Sequence, residues 1–268
     1  MARPRIKVSV LMYHDIVNPG EEDSSGFPGP APARYKLDWD SFRTHLDAIR
    51  RVTGSDPVVL HEALSGSHAS RSWALTFDDG GSSAVEVGEE LARRGWRGHF
   101  FVVSDLIGAR SFISRDGVVS LERMGHIVGS HSRSHPSRMT SCSAPELLGE
   151  WRDSLAVLSE MLGHPVDTAS LPGGSYSTRV GRAAATAGVS ILCTSEPSRA
   201  IGRIDGCSLV GRGAIRRGVR PSTAADLAAG RPLPWMAGRV AWNARNLAKA
   251  VGGRSYERAR AAWLARGS

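Results

Sequence analysis

Cysteine, lysine and long apolar runs are all scarce in this chain of 268 residues. Its three cysteines, Cys142, Cys193 and Cys207, form no metal-like pair and would leave one over if two were bonded, so we expect no disulfide framework. No apolar run reaches the roughly 18 residues of a membrane-spanning helix. With 41% hydrophobic and 22% charged residues, the composition is that of a globular protein and excludes disordered and collagen-like classes.

The basic charge is concentrated at one end of the chain. Residues 231–268 contain eight Arg or Lys and one Glu, a net charge of +7 out of the total of +8. We therefore predict a folded domain over 1–230 and a basic helical tail over 231–268. Aromatic residues are interleaved with the arginines of the tail: Trp235, Trp242, Tyr256 and Trp263. This pattern suits either a helix packed on the domain or a helix lying on a membrane surface.

The beginning of the chain shows no recognisable export signal. Its apolar stretch Val8–Tyr13 is shorter than a signal-peptide core and lacks a cleavage site after it, so we interpret it as a buried strand. The expected location is the cytoplasm, with membrane association through the tail.

Apolar runs alternate with helical patterns, which favours an α/β fold with a parallel sheet or a barrel. Strands are predicted over Val8–Tyr13, Val58–Leu60, Ala74–Phe77, His99–Val103, Ile127–Gly129, Thr168–Leu171, Ser190–Thr194 and Leu209–Ile215. Helices are predicted over Ser41–Val52, Ser82–Arg94, Ala144–Leu162 and Ser177–Ala187. The third helix has a capping box of Ser143 and Glu146 and a stop at Gly163, and its predicted role is structural.

Two adjacent carboxylates follow one predicted strand. The apolar segment Trp73–Phe77 runs straight into Asp78 and Asp79 and then into a glycine turn. Neighbouring carboxylates repel each other, and Asp is unfavourable within a strand. The active sites of α/β folds lie at the carboxyl ends of their strands, so this position suits a functional site. The alternative is a solvated turn, because Asp and Gly are turn residues.

Two histidines, His131 and His135, stand four residues apart, and Pro136 disfavours a helix at the second. Imidazoles suit zinc and related ions, and Asp79 offers the third ligand that a metal site needs. The alternative is a pair of surface histidines.

A tight turn follows the predicted strand Thr168–Leu171. Pro172, Gly173 and Gly174 hold the backbone there, and an amide of this turn could face a developing oxyanion. The local alternative is an ordinary turn into the next helix.

In this order, the motifs resemble those of the polysaccharide deacetylases of carbohydrate esterase family 4, the NodB homology domain. The run Thr76–Gly80 resembles the first motif of that family and His131–His135 its second. The resemblance covers roughly residues 8–215. It implies a distorted, incomplete (β/α) barrel with the site at the strand carboxyl ends, and domain boundaries of 1–230 for the deacetylase-like barrel and 231–268 for the tail.

The resemblance also implies roles. Asp79, His131 and His135 would hold one divalent ion, with zinc expected, and Asp78 would be the general base. The Gly173 amide would contact the oxyanion. Substrate contacts are expected from Pro172, Gly174, Tyr176 and Arg212.

Two features depart from the family pattern. The Arg that usually accompanies the Pro-Gly turn and braces the base is missing, and Arg212 is the candidate replacement. No histidine follows His164, but His14 stands at the end of the first strand. This order resembles the circularly permuted deacetylases of poly-N-acetylglucosamine systems, which puts the catalytic acid on His14. On the residues alone, the favoured interpretation of His14 is a partly buried structural histidine at a strand end.

The function that the resemblance implies is metal-dependent hydrolysis of an N-acetyl group on an amino sugar of a polysaccharide, glycolipid or small glycoside, releasing acetate. The expected partner is that N-acetylated sugar, with peripheral membrane contact through the tail and no role for nucleic acid. Two alternatives stay open. One is a non-catalytic carbohydrate-binding relative, and the other is a protein that acts mainly through its tail on anionic lipid or nucleic acid.

Overall fold

The structure is a computed structural model that describes residues 7–66 and 72–247. Its strands are β1 Val8–Tyr13, β2 Ile16–Val17, β3 Leu37–Asp38, β4 Ser72–Phe77, β5 His99–Val102, β6 Ile127–Ser130, β7 Thr168–Ser170, β8 Ile191–Cys193, β9 Ile201–Ile204, β10 Cys207–Val210 and β11 Gly213–Ala214. Its helices are α1 Pro30–Ala33, α2 Trp39–Thr53, α3 Leu60–Leu64, α4 Ala84–Arg93, α5 Arg115–Arg123, α6 Ala144–Leu162, α7 Thr178–Thr186, α8 Pro221–Ala228 and α9 over residues 232–247.

Within the described residues, nine strands form one curled sheet in the order β11-β1-β4-β5-β6-β7-β8-β10-β9. All neighbours are parallel except β9 and β10, which pair antiparallel. The helices α4, α5, α6 and α7 each connect strands that are neighbours in the sheet. The predicted distorted, incomplete (β/α) barrel of the NodB type is therefore confirmed.

The parallel register brings the predicted site residues to one edge of the sheet. His14 follows β1, Asp78 follows β4, His131 follows β6 and Pro172 follows β7. Arg212 lies between β10 and β11. Because parallel strands share the direction of their carboxyl ends, residues far apart in the chain meet at this edge.

Stacked aromatic rings fill the core beneath that edge. Phe77 stacks on Phe100 with ring centroids 4.8 Å apart, and Tyr13 stacks on the other side of Phe77 at 5.6 Å. Phe42 of α2 meets Tyr13 edge to face. These buried rings fix the relative height of β1, β4 and β5, and with them the positions of the residues that follow each strand.

Helix α6 has the predicted bounds, and the Glu146 carboxylate accepts a hydrogen bond from the Ser143 N–H at 2.6 Å, as the capping box requires. Its buried face, however, includes the polar residues Glu150 and Ser154 beside Leu147, Trp151, Leu155 and Leu158. A buried carboxylate must find donors, so this helix has more than a packing role.

Two predicted strands differ from the structure. Val58–Leu60 is not a strand: α3 begins at Leu60, whose N–H donates to the buried His99 Nε2 at 3.0 Å. The predicted strand Leu209–Ile215 is split into β10 and β11. A Cβ at Gly211 would lie 2.5 Å from the Glu196 carbonyl oxygen, so only glycine allows the chain to pass there.

Several elements carried too weak a pattern to be predicted from the sequence: α5, α8 and the short segments β2, β3, β9 and α1. The tail is helical over residues 232–247, and residues 248–268, which include Tyr256 and Trp263, lie outside the described residues. The boundary of 230 stays a prediction. Among the described residues, no helix has the length and apolar character needed to cross a membrane.

Candidate metal centre

Three side chains from two strand ends converge at the carboxyl edge of the sheet. The Asp79 Oδ1 atom lies 3.3 Å from His131 Nε2 and 3.6 Å from His135 Nε2. One ligand atom from each of the three residues lies within 4.8 Å of the others. Asp79 and His131 are buried and His135 is partly buried. The predicted ligand set is therefore brought together in the structure.

The donor set fits a cation. His131 Nδ1 lies 3.0 Å from the Ser170 carbonyl oxygen, which can only accept, so Nδ1 carries a proton and donates. The Nε2 of the neutral ring then turns its lone pair toward the Asp79 carboxylate. Two acceptors at this separation need a positive charge between them, supplied by a second ring proton or by a metal ion. In metal-binding histidines, the ring nitrogen that does not bind the metal usually donates a hydrogen bond to a carbonyl or carboxylate oxygen, as His131 Nδ1 does here.

The loop between the two histidines has an unusual backbone. Ser132 has φ of 64° and His135 has φ of 57°, both in the left-handed region that non-glycine residues rarely adopt. Side chains of the same loop stabilise it, because the Ser130 Oγ accepts from the Ser132 N–H and the Ser132 Oγ accepts from the His135 N–H. Such strain persists only where the surroundings hold it in place.

Glu150 of α6 supplies most of that support. Its Oε2 accepts from the N–H groups of Arg133 and Ser134 at 3.0 and 2.9 Å, and its Oε1 accepts from the Ser134 hydroxyl at 2.6 Å. One buried carboxylate thus fixes the centre of the loop that carries His131 at one end and His135 at the other. The predicted structural role of α6 thus includes support of the loop that carries the two histidines.

Asp78 faces a different partner from its neighbour Asp79. The Arg212 guanidinium donates from Nη1 to Asp78 Oδ1 at 2.7 Å and from Nη2 to Oδ2 at 2.8 Å. The Ser170 hydroxyl adds a third hydrogen bond to Oδ2 at 3.1 Å. This bidentate pair fixes both oxygens of the carboxylate.

Arg212 itself is 0% exposed. Beyond Asp78, its remaining donors reach the Thr194 carbonyl oxygen and the hydroxyls of Thr76 and Ser170. No part of the side chain faces solvent in this structure. The predicted substrate contact of Arg212 stays a prediction. The other prediction for this residue is that it holds the proposed base in place. Arg212 does contact both carboxylate oxygens of Asp78, as that prediction requires.

The electrostatics of the site keep both carboxylates ionised. Burial alone would raise the pKa of Asp78, but the charge of Arg212 outweighs it and holds the pKa below its usual range. Burial would also raise the pKa of Asp79, yet contact with His131 and the charge of His14 hold it well below the ordinary value. Burial, together with the neighbouring His131, lowers the pKa of His135 to about 4, which keeps that ring neutral.

His14 is partly buried at the end of β1, and its charge lowers the pKa of both Asp78 and Asp79. The ring packs against Tyr35 with centroids 4.8 Å apart. Its Nδ1 is buried without a hydrogen-bond partner among the described residues. His14 therefore belongs to the same site as the two carboxylates.

The segment between β2 and β3 forms one wall of this site. The Lys36 ammonium group is buried and donates to the carbonyl oxygens of Glu22, Ser25 and Phe27 at 2.5 to 2.7 Å. The fold that Lys36 stabilises places the Phe27 ring 4.6 Å from the His135 ring. Aromatic side chains from this one segment, Phe27 and Tyr35, thus flank the histidines at both sides of the site.

The turn after β7 lies at the same edge. Gly173 is exposed with φ of 64°, Pro172 is buried, and Gly174 is partly buried. Tyr176 packs toward α7, because its hydroxyl lies 2.8 Å from the position that a Cβ on Gly181 would occupy. The oxyanion role of Gly173 and the substrate contacts of Pro172, Gly174 and Tyr176 stay predictions.

Two supporting residues were missed by the sequence analysis, Glu150 and Ser170. Glu150 occupies a position of the apolar stripe of α6, and that misplaced charge was a readable signal. Ser170 offered none, because a serine at a strand end is common.

With this geometry in hand, comparison with known proteins indicates a family. Residues 65–192, just under half of the chain, match the family described as polysaccharide deacetylase. Over this segment the chain is similar to the polysaccharide deacetylases. A curated relative, the peptidoglycan-N-acetylglucosamine deacetylase PgdA of Listeria monocytogenes, is 34% identical over 110 residues, which are 40% of this chain and 22% of that protein. The chain thus spans about a fifth of the length of the curated relatives it matches.

Solved structures share the fold of this chain at low identity. The deacetylase PplD of Streptococcus pyogenes, in complex with acetate, is 21% identical with a TM-score of 0.68, over 81% of this chain and 96% of that one. IcaB from Ammonifex degensii is 22% identical with a TM-score of 0.66, over 83% and 97% of the two chains. A polysaccharide deacetylase of Bacillus cereus is 17% identical with a TM-score of 0.70, over 84% and 69%.

The family match divides the site residues into two groups. The matched segment contains Asp78, Asp79, His131 and His135. His14 lies before it and Arg212 lies after it. The acid candidate His14 and the Asp78 partner Arg212 therefore reach the site from strands outside the matched segment.

Proposed function

We propose that this chain is a metal-dependent N-deacetylase that hydrolyses the acetamide of an N-acetylated amino sugar. The observation that carries the proposal is the convergence of Asp79, His131 and His135 beside the Arg212-braced Asp78, in a chain that is similar to the polysaccharide deacetylases over residues 65–192. That similarity implies an acetylated sugar as substrate. In the net reaction, water adds to the acetyl carbon, the C–N bond breaks, and acetate and the free amine are the products.

The three converging residues would hold one divalent ion, and zinc is expected because two imidazoles and one carboxylate are common zinc ligands. When bound, that ion would supply Lewis acidity to the acetamide carbonyl and to water. His131 is prepared for this role by its hydrogen bond to Ser170, which leaves Nε2 free to ligate.

Asp78 would accept the proton of the attacking water. Arg212 keeps the carboxylate ionised and fixes its orientation, so the base is ready at neutral pH. The Ser170 hydroxyl bonds Asp78, and the Ser170 carbonyl bonds His131. One residue thereby ties the position of the base to that of a metal ligand.

His14 would donate a proton to the departing nitrogen. Its charge acts on both Asp78 and Asp79, which supports a place beside the reacting group. The Gly173 N–H would stabilise the oxyanion. The strand that carries His14 comes first in the chain and pairs with β4, and this order supports the circularly permuted arrangement.

The test is acetate release by the purified chain from N-acetylated oligosaccharides, glycolipids and small glycosides, with metal content measured on the same samples. We expect about one divalent ion per chain. The Asp78→Asn variant should keep the metal and lose at least about 100-fold in rate, the usual worth of a positioned base. In contrast, Asp79→Asn, His131→Ala and His135→Ala should lose the metal.

His164→Ala is the matched control, because His164 is a surface histidine paired with Glu122 and should leave both readouts unchanged. Full metal occupancy in all three ligand variants would overturn the ligand assignment. Normal metal binding without acetate release from any of these substrates would instead support a non-catalytic carbohydrate-binding protein.

A further inference from the structure

Helix α9 is docked on the domain along one side. Trp235 is buried, and its indole N–H donates to the Leu227 carbonyl oxygen at 3.0 Å. Arg239, one turn further, pairs with Glu196 at 2.9 Å. These two contacts fix the rotation of the helix about its axis and so determine which side chains point outward.

The outward side of α9 is apolar. Six large hydrophobic side chains are exposed among the described residues, and four of them belong to this one helix. They are Leu233 at 77%, Met236 at 63%, Val240 at 70% and Leu247 at 66% exposure. At about 3.6 residues per turn they fall within roughly 60° of arc, on the side away from Trp235. A contiguous apolar stripe of this kind marks an interaction surface.

The charge of the same region indicates what covers the stripe. Residues 231–268 carry a net charge of +7, whereas the remaining 230 residues carry +1. Aliphatic side chains on a strongly basic segment suit an anionic bilayer, which offers acyl chains to the stripe and phosphate groups to the arginines. A nucleic acid would satisfy the charge but would leave four aliphatic side chains in water.

We infer that α9 is a membrane-docking helix that seats the deacetylase domain on an anionic lipid surface through Leu233, Met236, Val240 and Leu247. The basic residues of 231–268 other than Arg231 and Arg239, which pair with Asp226 and Glu196, supply the attraction to the headgroups. The domain stays attached through Trp235 and the Arg239–Glu196 pair, so the docking surface and the domain move as one unit. The inference concerns the location of the domain and holds whether or not the proposed reaction occurs.

The test is co-sedimentation of the full chain with lipid vesicles, a readout that does not depend on activity. We expect binding to vesicles of phosphatidylcholine mixed with phosphatidylglycerol, weak binding to phosphatidylcholine alone, and a decline with added salt. The double variant Met236→Ser with Val240→Ser should partition at least about ten-fold more weakly, because two buried aliphatic groups are lost. Its circular dichroism and melting temperature should match the wild type, since both side chains are exposed.

The matched control is Val52→Ser with Val157→Ser, two exposed valines on other helices at 40% and 38% exposure, which should bind vesicles like the wild type. Three results would overturn the inference. One is equal vesicle binding by the α9 variant and the wild type. Another is a dimer in light scattering that the α9 substitutions dissociate. The third is retention of duplex DNA by a chain that does not bind anionic vesicles.

Discussion

Asp78 and Arg212 form a bidentate ion pair across 134 residues of sequence, with both nitrogen–oxygen distances below 3 Å. Neither side chain is more than 4% exposed. Arg212 comes from the segment between β10 and β11, just after Gly211 and before β11 pairs with β1. The partner of Asp78, the proposed base, thus comes from the end of β10, whereas the Pro-Gly turn follows β7.

The first prediction concerns that brace. Arg212→Lys keeps the charge but cannot donate to both oxygens of Asp78. It also removes donors that reach the Thr194 carbonyl oxygen and the hydroxyls of Thr76 and Ser170. We expect the free energy of unfolding to fall by about 1–3 kcal/mol, as for other buried groups that lose a partner. With the Arg212 charge displaced, burial raises the pKa of Asp78, so the acid limb of the pH–rate profile should move to higher pH.

Denaturant unfolding and a pH–rate series check both parts. Arg97→Lys is the control, because Arg97 forms a surface pair with Glu62 and should change neither measurement. An unchanged acid limb in Arg212→Lys would show that Arg212 does not tune the base.

The second prediction concerns His14 as the acid. His14→Ala should bind metal and fold normally, because the ring is only partly buried, yet turn over slowly. The loss should shrink for substrates with a better leaving group, since these need less protonation. Rates on a series of N-acyl substrates with graded leaving groups measure this. A loss that is the same for every leaving group would contradict the acid role.

The third prediction concerns Glu150 as a positioning residue for the metal ligands. Glu150→Gln replaces one acceptor oxygen by a donor that cannot serve the N–H groups of Arg133 and Ser134 together with the Ser134 hydroxyl. The affinity for the metal should fall about 10–100-fold, the usual effect of lost supporting contacts. The visible spectrum of the cobalt-substituted protein should change as well, because the two histidines are no longer held at the same geometry.

Glu160→Gln on the exposed side of the same helix is the matched control and should leave affinity and spectrum unchanged. If Glu150→Gln lowers stability but keeps the wild-type cobalt spectrum and affinity, Glu150 supports the fold alone.

The fourth prediction concerns the pH dependence of stability. Burial lowers the pKa of His99 to about 3, and its Nε2 accepts from the Leu60 N–H, so the ring is neutral in the folded protein. In the unfolded chain, His99 is protonated below its ordinary pKa of 6.5, whereas the folded protein keeps the ring neutral down to about pH 3. His99 therefore costs no stability above pH 6.5 and destabilises the fold progressively as the pH falls from 6.5 toward 3. His99→Gln should therefore lose less stability than the wild type between neutral pH and pH 5, by up to about 1.4 kcal/mol per pH unit.

Urea unfolding at several pH values checks the slope. The control is His164→Gln, for which the expected pH effect on stability has the opposite sign. The hydrogen bond to Glu122 raises the pKa of His164, so the pair stabilises the fold at low pH and this contribution is lost as the pH rises. His164→Gln should thus leave the acid slope unchanged or make it steeper. Equal slopes for His99→Gln and the wild type would contradict the assignment.

The sequence by itself determined the bounds of α6 and the positions of Asp78, Asp79, His131 and His135 at strand ends. It also determined six strands of the sheet: β1, β4, β5, β6, β7 and β8. These features follow from local patterns: apolar runs, the capping box, and adjacent polar residues where a strand stops. Parallel strands then require the same edge for all of them, so the convergence of the metal ligands was readable before any coordinates.

Only the tertiary structure decided how those residues are supported. Three contacts between distant segments provide that support. Arg212 braces Asp78, Glu150 holds the His131–His135 loop, and Ser170 bonds both Asp78 and His131. The pairing of a buried charge is set by what the fold brings within hydrogen-bond distance, and a single Arg, Glu or Ser carries no local trace of a partner many residues away. The tertiary structure also decided which side of α9 faces outward. The contacts of Trp235 with Leu227 and of Arg239 with Glu196 set the rotation of the helix, and the helix sequence alone does not specify these partners.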